Sequence, residues 1–168
     1  MRKKTPITIR LLTLASLFVF SSSLFAADKQ DIDKILNQKE APDGIVFEVI
    51  GSDEDYLSDA IERIQQYQKQ LQIKFPKLDI AVVSHGSEQF ALTNSYAAKN
   101  ALKNKETHKN IKRLIDSDVP VYICETHASW RDVQASDFPS YITIAAQGPA
   151  QIKQYQELGY TLIVIEEK

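Results

Sequence analysis

The sequence predicts one α/β domain, a three-layer α/β/α sandwich around a mainly parallel sheet of about five strands. Short segments rich in apolar and β-branched residues alternate along the chain with amphipathic segments of helical length. The strand segments are apolar on both faces, which is typical of parallel strands covered by helices on both sides. No internal repeat or second domain is visible, and the order of the strands does not follow from this pattern.

Residues 1–26 have the features of a secretory signal peptide. A basic start without acids precedes an unbroken apolar run from Leu11 to Phe20, and small residues follow. Cleavage after Ala26 fits best, although Leu24 at the −3 position is a weaker choice than alanine. We therefore expect a periplasmic protein. The alternative is an uncleaved membrane anchor, for which the apolar run is short.

Removal of the signal peptide would make the chain acidic. The whole chain has 20 Lys+Arg and 22 Asp+Glu, and residues 1–26 contain four of the bases and none of the acids. The mature chain would keep 16 basic residues against 22 acidic ones, a net charge of −6. Phosphate backbones and anionic lipid surfaces repel such a chain. We expect no nucleic-acid partner, and no membrane association after cleavage.

The mature chain begins with a polar lead-in at residues 27–43, in which we expect one or two helical turns. The α/β domain then spans residues 44–168. Residues 44–50 predict its first strand, because they are nearly all apolar, are rich in β-branched side chains and lie between turn signals.

The segment after this strand predicts a long amphipathic helix. Ser52 and Asp55 resemble a capping box at its start. The helix ends near Phe75, because the residue before a proline, here Pro76, disfavours helical backbone. The remaining predicted elements are a strand at 78–84, a short helix within 90–98, a solvated loop at 99–105, a helix at 107–117, a strand at 119–123, a polar helix at 127–135, a strand at 141–145, a helix from 148 that closes at 159, and a strand at 161–165.

Candidate functional residues follow the predicted strands. In an open parallel sheet, ligands and reactive groups gather beyond the carboxyl ends of the strands. His85 and Gly86 follow the second strand, Cys124 follows the third, and Gln147 and Gly148 follow the fourth. These residues are therefore expected at one edge of the sheet.

Cys124 is the strongest candidate, and it is the single cysteine of the chain, so no intramolecular disulfide can form. It lies between a strand end and a predicted helix start, where backbone N–H groups and the helix dipole favour the nucleophilic thiolate. His127, three residues later, adds a polarising partner. The alternative is that Cys124 is a small buried apolar residue, which is common for a free cysteine.

The histidines allow several interpretations. The candidate roles of His85 are a general base, a metal ligand, an anion binder, or a histidine whose ring is hydrogen-bonded by local backbone groups. Gly86 allows the backbone to turn sharply after it. Cys124 and His127 form a conceivable metal pair, but a full site needs three or four ligands and only His85 and Glu125 offer themselves. We predict neither a metal nor another cofactor. His108 lies among lysines and is expected at the solvated surface.

Motifs of the common enzyme classes are missing from the sequence. It contains no CxxC pair, no GxSxG nucleophile elbow and no glycine-rich phosphate loop. Classical hydrolase, kinase and dehydrogenase activities are therefore not expected. Trp130 and Arg131, on the predicted helix after Cys124, are expected to line the cleft or an interface, or to serve in packing.

Three segments together resemble the DsrE/DsrF-like family. Residues 82–86, Val-Val-Ser-His-Gly, are similar to its apolar strand followed by His-Gly, and residues 119–126 are similar to its strand that ends in cysteine with threonine soon after. Residues 137–160, with Gln156-Glu-Leu-Gly159-Tyr160 at their end, match its closing segment. The resemblance covers about residues 44 to 166, nearly the whole mature chain.

The resemblance implies an α/β/α sandwich that assembles as a homotrimer or hexamer. In the sulfur-relay members of this family, a cysteine accepts sulfur as a persulfide and passes it on. The chain departs from these members in two ways. They are cytoplasmic and mostly lack a signal peptide, and Glu125-Thr126-His127 replaces the more usual small or amide residues after the cysteine.

Our leading hypothesis is a periplasmic sulfur-binding or sulfur-relay protein in which Cys124 is the persulfide carrier. His85, Gly86, Thr126 and His127 would support it in the cleft. The partner would be a sulfur donor or acceptor protein, or a small sulfur anion. The alternatives are a non-catalytic oligomeric module that binds a small ligand, and a metal-binding protein that uses Cys124, His127 and His85.

Overall fold

The computed structural model describes residues 27–95 and 101–167, so the predicted signal peptide lies outside the described residues. A five-stranded, all-parallel sheet in the order β4-β3-β2-β1-β5 forms its centre. The strands are β1 Gly44–Ile50, β2 Ile80–Ser84, β3 Val121–Cys124, β4 Thr143–Ala145 and β5 Tyr160–Glu166. The α-helices are α1 Ala27–Leu36, α2 Tyr56–Lys74, α3 Ala101–Ile115, α4 Glu125–Ser129 and α5 Gly148–Glu157, with 3₁₀ helices at Ser87–Leu92 and Ala135–Asp137.

Helices cover both faces of the sheet, which confirms the predicted α/β/α sandwich. One face carries the larger core, to which α1, α2 and α3 contribute. On the other face, Ile152 of α5 packs against Val46, Ala81 and Val83. Burial of both faces explains why the central strands are almost continuously apolar: β2, for example, is buried at every position.

The strand order places the carboxyl ends of β2, β3 and β4 side by side. Each of these strands pairs with the next, with Ser84 opposite Ile123 and Cys124 opposite Ala145. The backbone N–H of His85 also donates to the carbonyl of Val49, which continues the β1–β2 pairing by one residue. The loops that hold His85, Cys124 and Gln147 are therefore neighbours at one edge of the sheet.

The lead-in, in which one or two helical turns were expected, contains a longer helix: α1 has 10 residues, and its apolar side belongs to the core. Ile32 and Ile35 are buried on its inner face. Buried Asp28 accepts hydrogen bonds from Arg63 and from the hydroxyl of Tyr67, both on α2. The polar composition hid the helical spacing of the few apolar residues.

Other boundaries also differ from the prediction. The capping box is absent: Asp53 accepts from the N–H of Asp55, and Ser52 donates its N–H and hydroxyl to Glu167. The predicted loop at 99–105 is helical from Ala101 onward, whereas residues 96–100 lie outside the described residues. The polar helix expected at 127–135 is shorter, at Glu125–Ser129.

The end of α5 agrees with the sequence. Gly159 follows it with a φ of 87°, a left-handed conformation that glycine adopts without a steric penalty.

In the part of the chain that the structure describes, no helix combines the length and the apolar character needed to cross a membrane.

Candidate functional site

Cys124 lies at the junction of β3 and α4. Its backbone is extended and its residue is the N-cap of α4, so its Sγ accepts a hydrogen bond from the N–H of His127 at 3.4 Å. The residue is only 4% exposed. A backbone donor aimed at sulfur favours negative charge on it, and the burial means that a reactant must reach Sγ through a defined opening.

Gln89 holds the backbone of Cys124 in place. The Cys124 N–H points beyond the end of β2, where the side-chain Oε1 of Gln89 accepts it at 2.8 Å. Gln89 is fully buried, and its Nε2 has no hydrogen-bond partner among the described residues. The side chain therefore continues the sheet hydrogen bonding at the point where the strand backbone has turned away.

His85 is paired with an acid that the sequence analysis did not single out. Its Nε2 lies 2.6 Å from Oε1 of Glu48, in the middle of β1. The two side chains are 16% and 15% exposed, so the pair is mostly shielded from water. A polar group in a mostly buried position needs a hydrogen-bond partner. Glu48 and His85 are each other's partner.

The first residue of α5 packs against both candidate residues. A Cβ on Gly148 would lie 2.6 Å from Cβ of His85 and 3.3 Å from Cβ of Cys124. Such distances leave no room for any side chain at this position. Gly148 thus lets α5 begin directly against the site.

A cleft of about 300 Å³ opens over these residues. Four of the five predicted site residues line it, together with Gln147 and Trp130, which were also expected near the cleft, and Pro149 at the start of α5. The lining residues are His85, Cys124, Thr126, His127, Trp130, Gln147 and Pro149. Thr126 also fastens the β4 side of the cleft, because its N–H and hydroxyl both donate to the carbonyl of Ala146.

Gly86 is the predicted site residue that does not line the cleft. Its N–H donates to Oε1 of buried Glu88, which also accepts from the hydroxyl of Ser84. The other carboxylate oxygen of Glu88 accepts from the N–H of Gly51. A Cβ on Gly86 would come within 2.6 Å of the Gly51 carbonyl, so this glycine serves the close packing of two loops behind the site.

An aromatic wall borders the cleft on the α4 side. The ring of His127 lies between Phe90 and Trp130, with centroid distances of 5.6 Å and 5.0 Å. Arg131 lies over the other side of the wall, 4.4 Å from the Phe90 centroid, and donates to the hydroxyl of Ser87. Trp130 is 73% exposed, so a large apolar surface stands at the entrance.

His108 was predicted at the solvated surface, but it is only partly exposed. Its Nδ1 lies 2.5 Å from the hydroxyl of Tyr141, and the residue is half-buried. Burial lowers the pKa of His108, and the nearby backbone of Ala91 offsets this in part. Burial likewise raises the pKa of Tyr141. The histidine is not among the residues that line the cleft.

The side chains of the cleft do not converge as metal ligands. Among residues 27–95 and 101–167, no three His, Cys, Asp or Glu side chains come together in a metal-binding arrangement. Glu48, the acid that reaches His85, belongs to a pair and not to a group of three ligands. The geometry gives the metal-binding alternative no support.

Glu48 and Gln89, which contact His85 and the backbone of Cys124, were not predicted from the sequence. Glu48 carried a usable signal, because it is the one charged residue in the otherwise apolar segment of β1. Gln89 carried none, because the segment around it shows neither a strand period nor a helix period.

Solved structures share this arrangement of a sheet with helices on both faces. Among them are a protein of unknown function, MTH1491 from Methanobacterium thermoautotrophicum, and the ychN protein from E. coli. The first has a TM-score of 0.56 and 16% identity over 72% of this chain and 97% of its own. The second has a TM-score of 0.51 and 15% identity over 74% of this chain and 99% of its own. At these identities the likeness shows the fold alone.

Comparison at the level of sequence adds nothing to this result. No protein-family model and no curated protein matches the chain.

Proposed function

We propose that this protein binds or relays sulfur in the periplasm, with Cys124 as a persulfide carrier. The observation that carries the proposal is the position of Cys124 Sγ: it accepts the N–H of His127 at the start of α4 and lines a cleft beside His85. Its backbone is fixed by Gln89. The DsrE-like fold agrees with this proposal without testing it.

The proposed reaction is a transfer of sulfane sulfur between thiols. The thiolate of Cys124 attacks the outer sulfur of a donor persulfide, a new S–S bond forms at Sγ, and the S–S bond of the donor breaks. The donor leaves as a thiolate, so no external oxidant or reductant is consumed. The backbone N–H of His127 that donates to Sγ would stabilise the negative charge on sulfur during the step.

The burial of Cys124 limits the donor. With 4% of the residue exposed, the sulfur is reached through the cleft of about 300 Å³. This space accepts a small sulfur compound, or a persulfide side chain on a narrow segment of a partner protein. The exposed ring of Trp130 at the entrance would contact the rest of the donor.

The test is sulfur loading of the purified protein. After reduction and removal of the reductant, the mature protein is incubated with a low-molecular-weight persulfide and its intact mass is measured. We expect one sulfur atom on the wild-type protein and none on Cys124→Ser. A double variant, Cys124→Ser with Ser129→Cys, moves the thiol to an exposed position on α4. Equal loading of this double variant would mean that the site contributes nothing, and would contradict the proposal.

The burial of Cys124 also favours a second function, the non-catalytic binding of a small ligand. A cysteine that is 4% exposed also suits the role of a small packing residue. Under this alternative, Cys124→Ser retains assembly and ligand binding unchanged. Sulfur loading that depends on Cys124 decides against it.

We also propose that the protein forms a homo-oligomer. The sheet face that packs against Ile152 is covered by α5, and the neighbouring Tyr122, Tyr160 and Leu162 remain only partly buried. Leu158, just after α5, is 68% exposed. Light scattering coupled to size-exclusion chromatography tests this: a trimer or hexamer is expected, and a monomer at micromolar concentration contradicts it.

Export to the periplasm is a proposal of the same kind. It is supported by the basic, apolar and small-residue order of residues 1–26. Cleavage after Ala26 would leave α1 and its buried Asp28 intact. N-terminal sequencing of the protein from a periplasmic extract should begin at Ala27. Full-length protein retained in the cytoplasm or the membrane would contradict export.

A further inference from the structure

We infer that Glu48 is a positioning residue for the chemistry of Cys124: it holds His85 in one tautomer, with Nδ1 as the basic nitrogen in the cleft. The inference rests on the proposed function and extends it, because it assigns the proton acceptor for the thiol. It joins Cys124, His85 and Glu48 into a nucleophile, a base and an orienting acid, the logic common to activated nucleophiles.

The location of Glu48 is the first argument. It lies in the central part of β1, between buried Phe47 and Val49, and in register with Val83 and Val164 of the neighbouring strands. A carboxylate among aliphatic side chains is costly unless it is paired. Packing alone would favour an apolar residue here, so the acid is explained by its contact with His85.

The contact bears on which ring nitrogen carries the hydrogen. Nε2 of His85 lies 2.6 Å from Oε1 of Glu48. In the arrangement that we infer, Glu48 is the carboxylate, which has no hydrogen to donate, so Nε2–H is the donor. In the neutral ring, Nδ1 then has a free lone pair. Since Nε2 is engaged by Glu48, Nδ1 is the nitrogen left for chemistry in the cleft.

The surroundings keep this arrangement rigid. A Cβ on Gly148 would lie 2.6 Å from Cβ and 3.1 Å from Cγ of His85, and 3.3 Å from Cβ of Cys124, so the start of α5 lies close to both side chains. The N–H of His85 is bound to the carbonyl of Val49, only one residue from Glu48. Base and acid are thus held by adjacent positions of the same pair of strands.

The proton path of the transfer follows. Nδ1 of His85 first takes the proton from the Cys124 thiol, and the thiolate so formed attacks the outer sulfur of the donor. The S–S bond of the donor breaks, and the departing thiolate takes the proton back from Nδ1. Atoms and charge balance, and Glu48 stabilises the protonated ring during the step.

Two readouts test the role of Glu48. The ¹⁵N shifts of His85 in the neutral ring report its tautomer, and the initial rate of sulfur loading reports the transfer. We expect hydrogen on Nε2 in the wild type. In Glu48→Gln, we expect a mixed or reversed tautomer and a loading rate lower by about 10- to 100-fold. Glu62→Gln, an exposed change on α2, should alter neither.

A double-variant cycle separates positioning from a general structural effect. In a His85→Gln background, Glu48→Gln should cause no further loss of loading rate. If the role of Glu48 were merely structural, Glu48→Gln would lower the rate in this background as well. If the wild-type ring carries its hydrogen on Nδ1, the inference is overturned. An unchanged loading rate in Glu48→Gln also overturns it. A wild-type protein that takes no sulfur overturns the proposed function, and the role of Glu48 in transfer with it.

Discussion

Gly148 and His85 are packed so closely that a Cβ on the glycine would lie 2.6 Å from Cβ of the histidine. Both atoms are attached directly to the backbone, so neither can move aside by rotation of a flexible side chain. The contact joins the start of α5 to the end of β2, and it sets one wall of the Cys124 cleft. The shape of the candidate site therefore depends on a residue without a side chain.

Replacement of this glycine should disturb both the stability and the site. We expect Gly148→Ala to lower the free energy of unfolding by about 1–3 kcal/mol, because overpacking forces the helix start and the loop apart. Urea denaturation measures this, and the rate of Cys124 alkylation in the folded protein should change as well. Ala150→Ser, an exposed change on the same helix, should stay within about 0.5 kcal/mol of the wild type. A Gly148→Ala protein with wild-type stability and alkylation would contradict the packing.

The hydrogen bond from the Cys124 backbone to Gln89 gives a second prediction. Gln89→Met keeps the approximate volume but leaves the buried N–H without its acceptor, which costs about 1–3 kcal/mol. Gln66→Met, the same change at an exposed position of α2, is the matched control and should cost less than about 0.5 kcal/mol. Equal stabilities for the two variants would mean that the Gln89 bond contributes nothing.

The buried ion pair of Asp28 gives a third prediction, for the attachment of α1. Asp28→Asn should destabilise the fold by about 3–5 kcal/mol, because Arg63 is left without its charged partner in a mostly buried place. Asp33→Asn removes an exposed carboxylate of the same helix, which pairs with Lys29, and should cost at most about 1 kcal/mol. Thermal and urea unfolding distinguish the two. A similar loss in both variants would show that α1 is not fixed by its buried charge.

His108 gives a prediction for pH. Because burial lowers its pKa from the ordinary value of 6.5, the unfolded chain binds a proton more readily than the folded one. Stability is thus lost as the pH falls through about 6.5 and toward the lower folded value, and it is unaffected well above this range. His108→Gln should remove this part of the acid loss, so wild type and variant should diverge between about pH 7.5 and about pH 5. Parallel stability curves over this range would contradict the assignment.

Much of the fold followed from local signals in the sequence. The first strand was predicted with its observed limits, Gly44–Ile50, because turn residues bracket an apolar segment. Pro76 correctly indicated the end of α2 at Lys74, and Gly159 the end of α5. Each of these features depends on the backbone preferences of one or two residues, such as proline or glycine, which can be identified in the sequence.

The remaining features depend on contacts between distant segments. The pairing of Glu48 with His85 follows from the register of β1 against β2, which the alternation of residue types does not reveal. Gln89 reaches Cys124 only because β2 and β3 are neighbours, and the strand order was not derivable. His108 was misplaced because flanking lysines suggested solvent, whereas its partner Tyr141 lies 33 positions away.

The most direct test of the central claim is the intact mass of the mature protein purified from the periplasm without reductant. The account predicts a species heavier by one sulfur atom, which reductant removes and which Cys124→Ser lacks. A wild-type protein of unmodified mass, both as isolated and after incubation with a persulfide donor, would contradict Cys124 as a sulfur carrier.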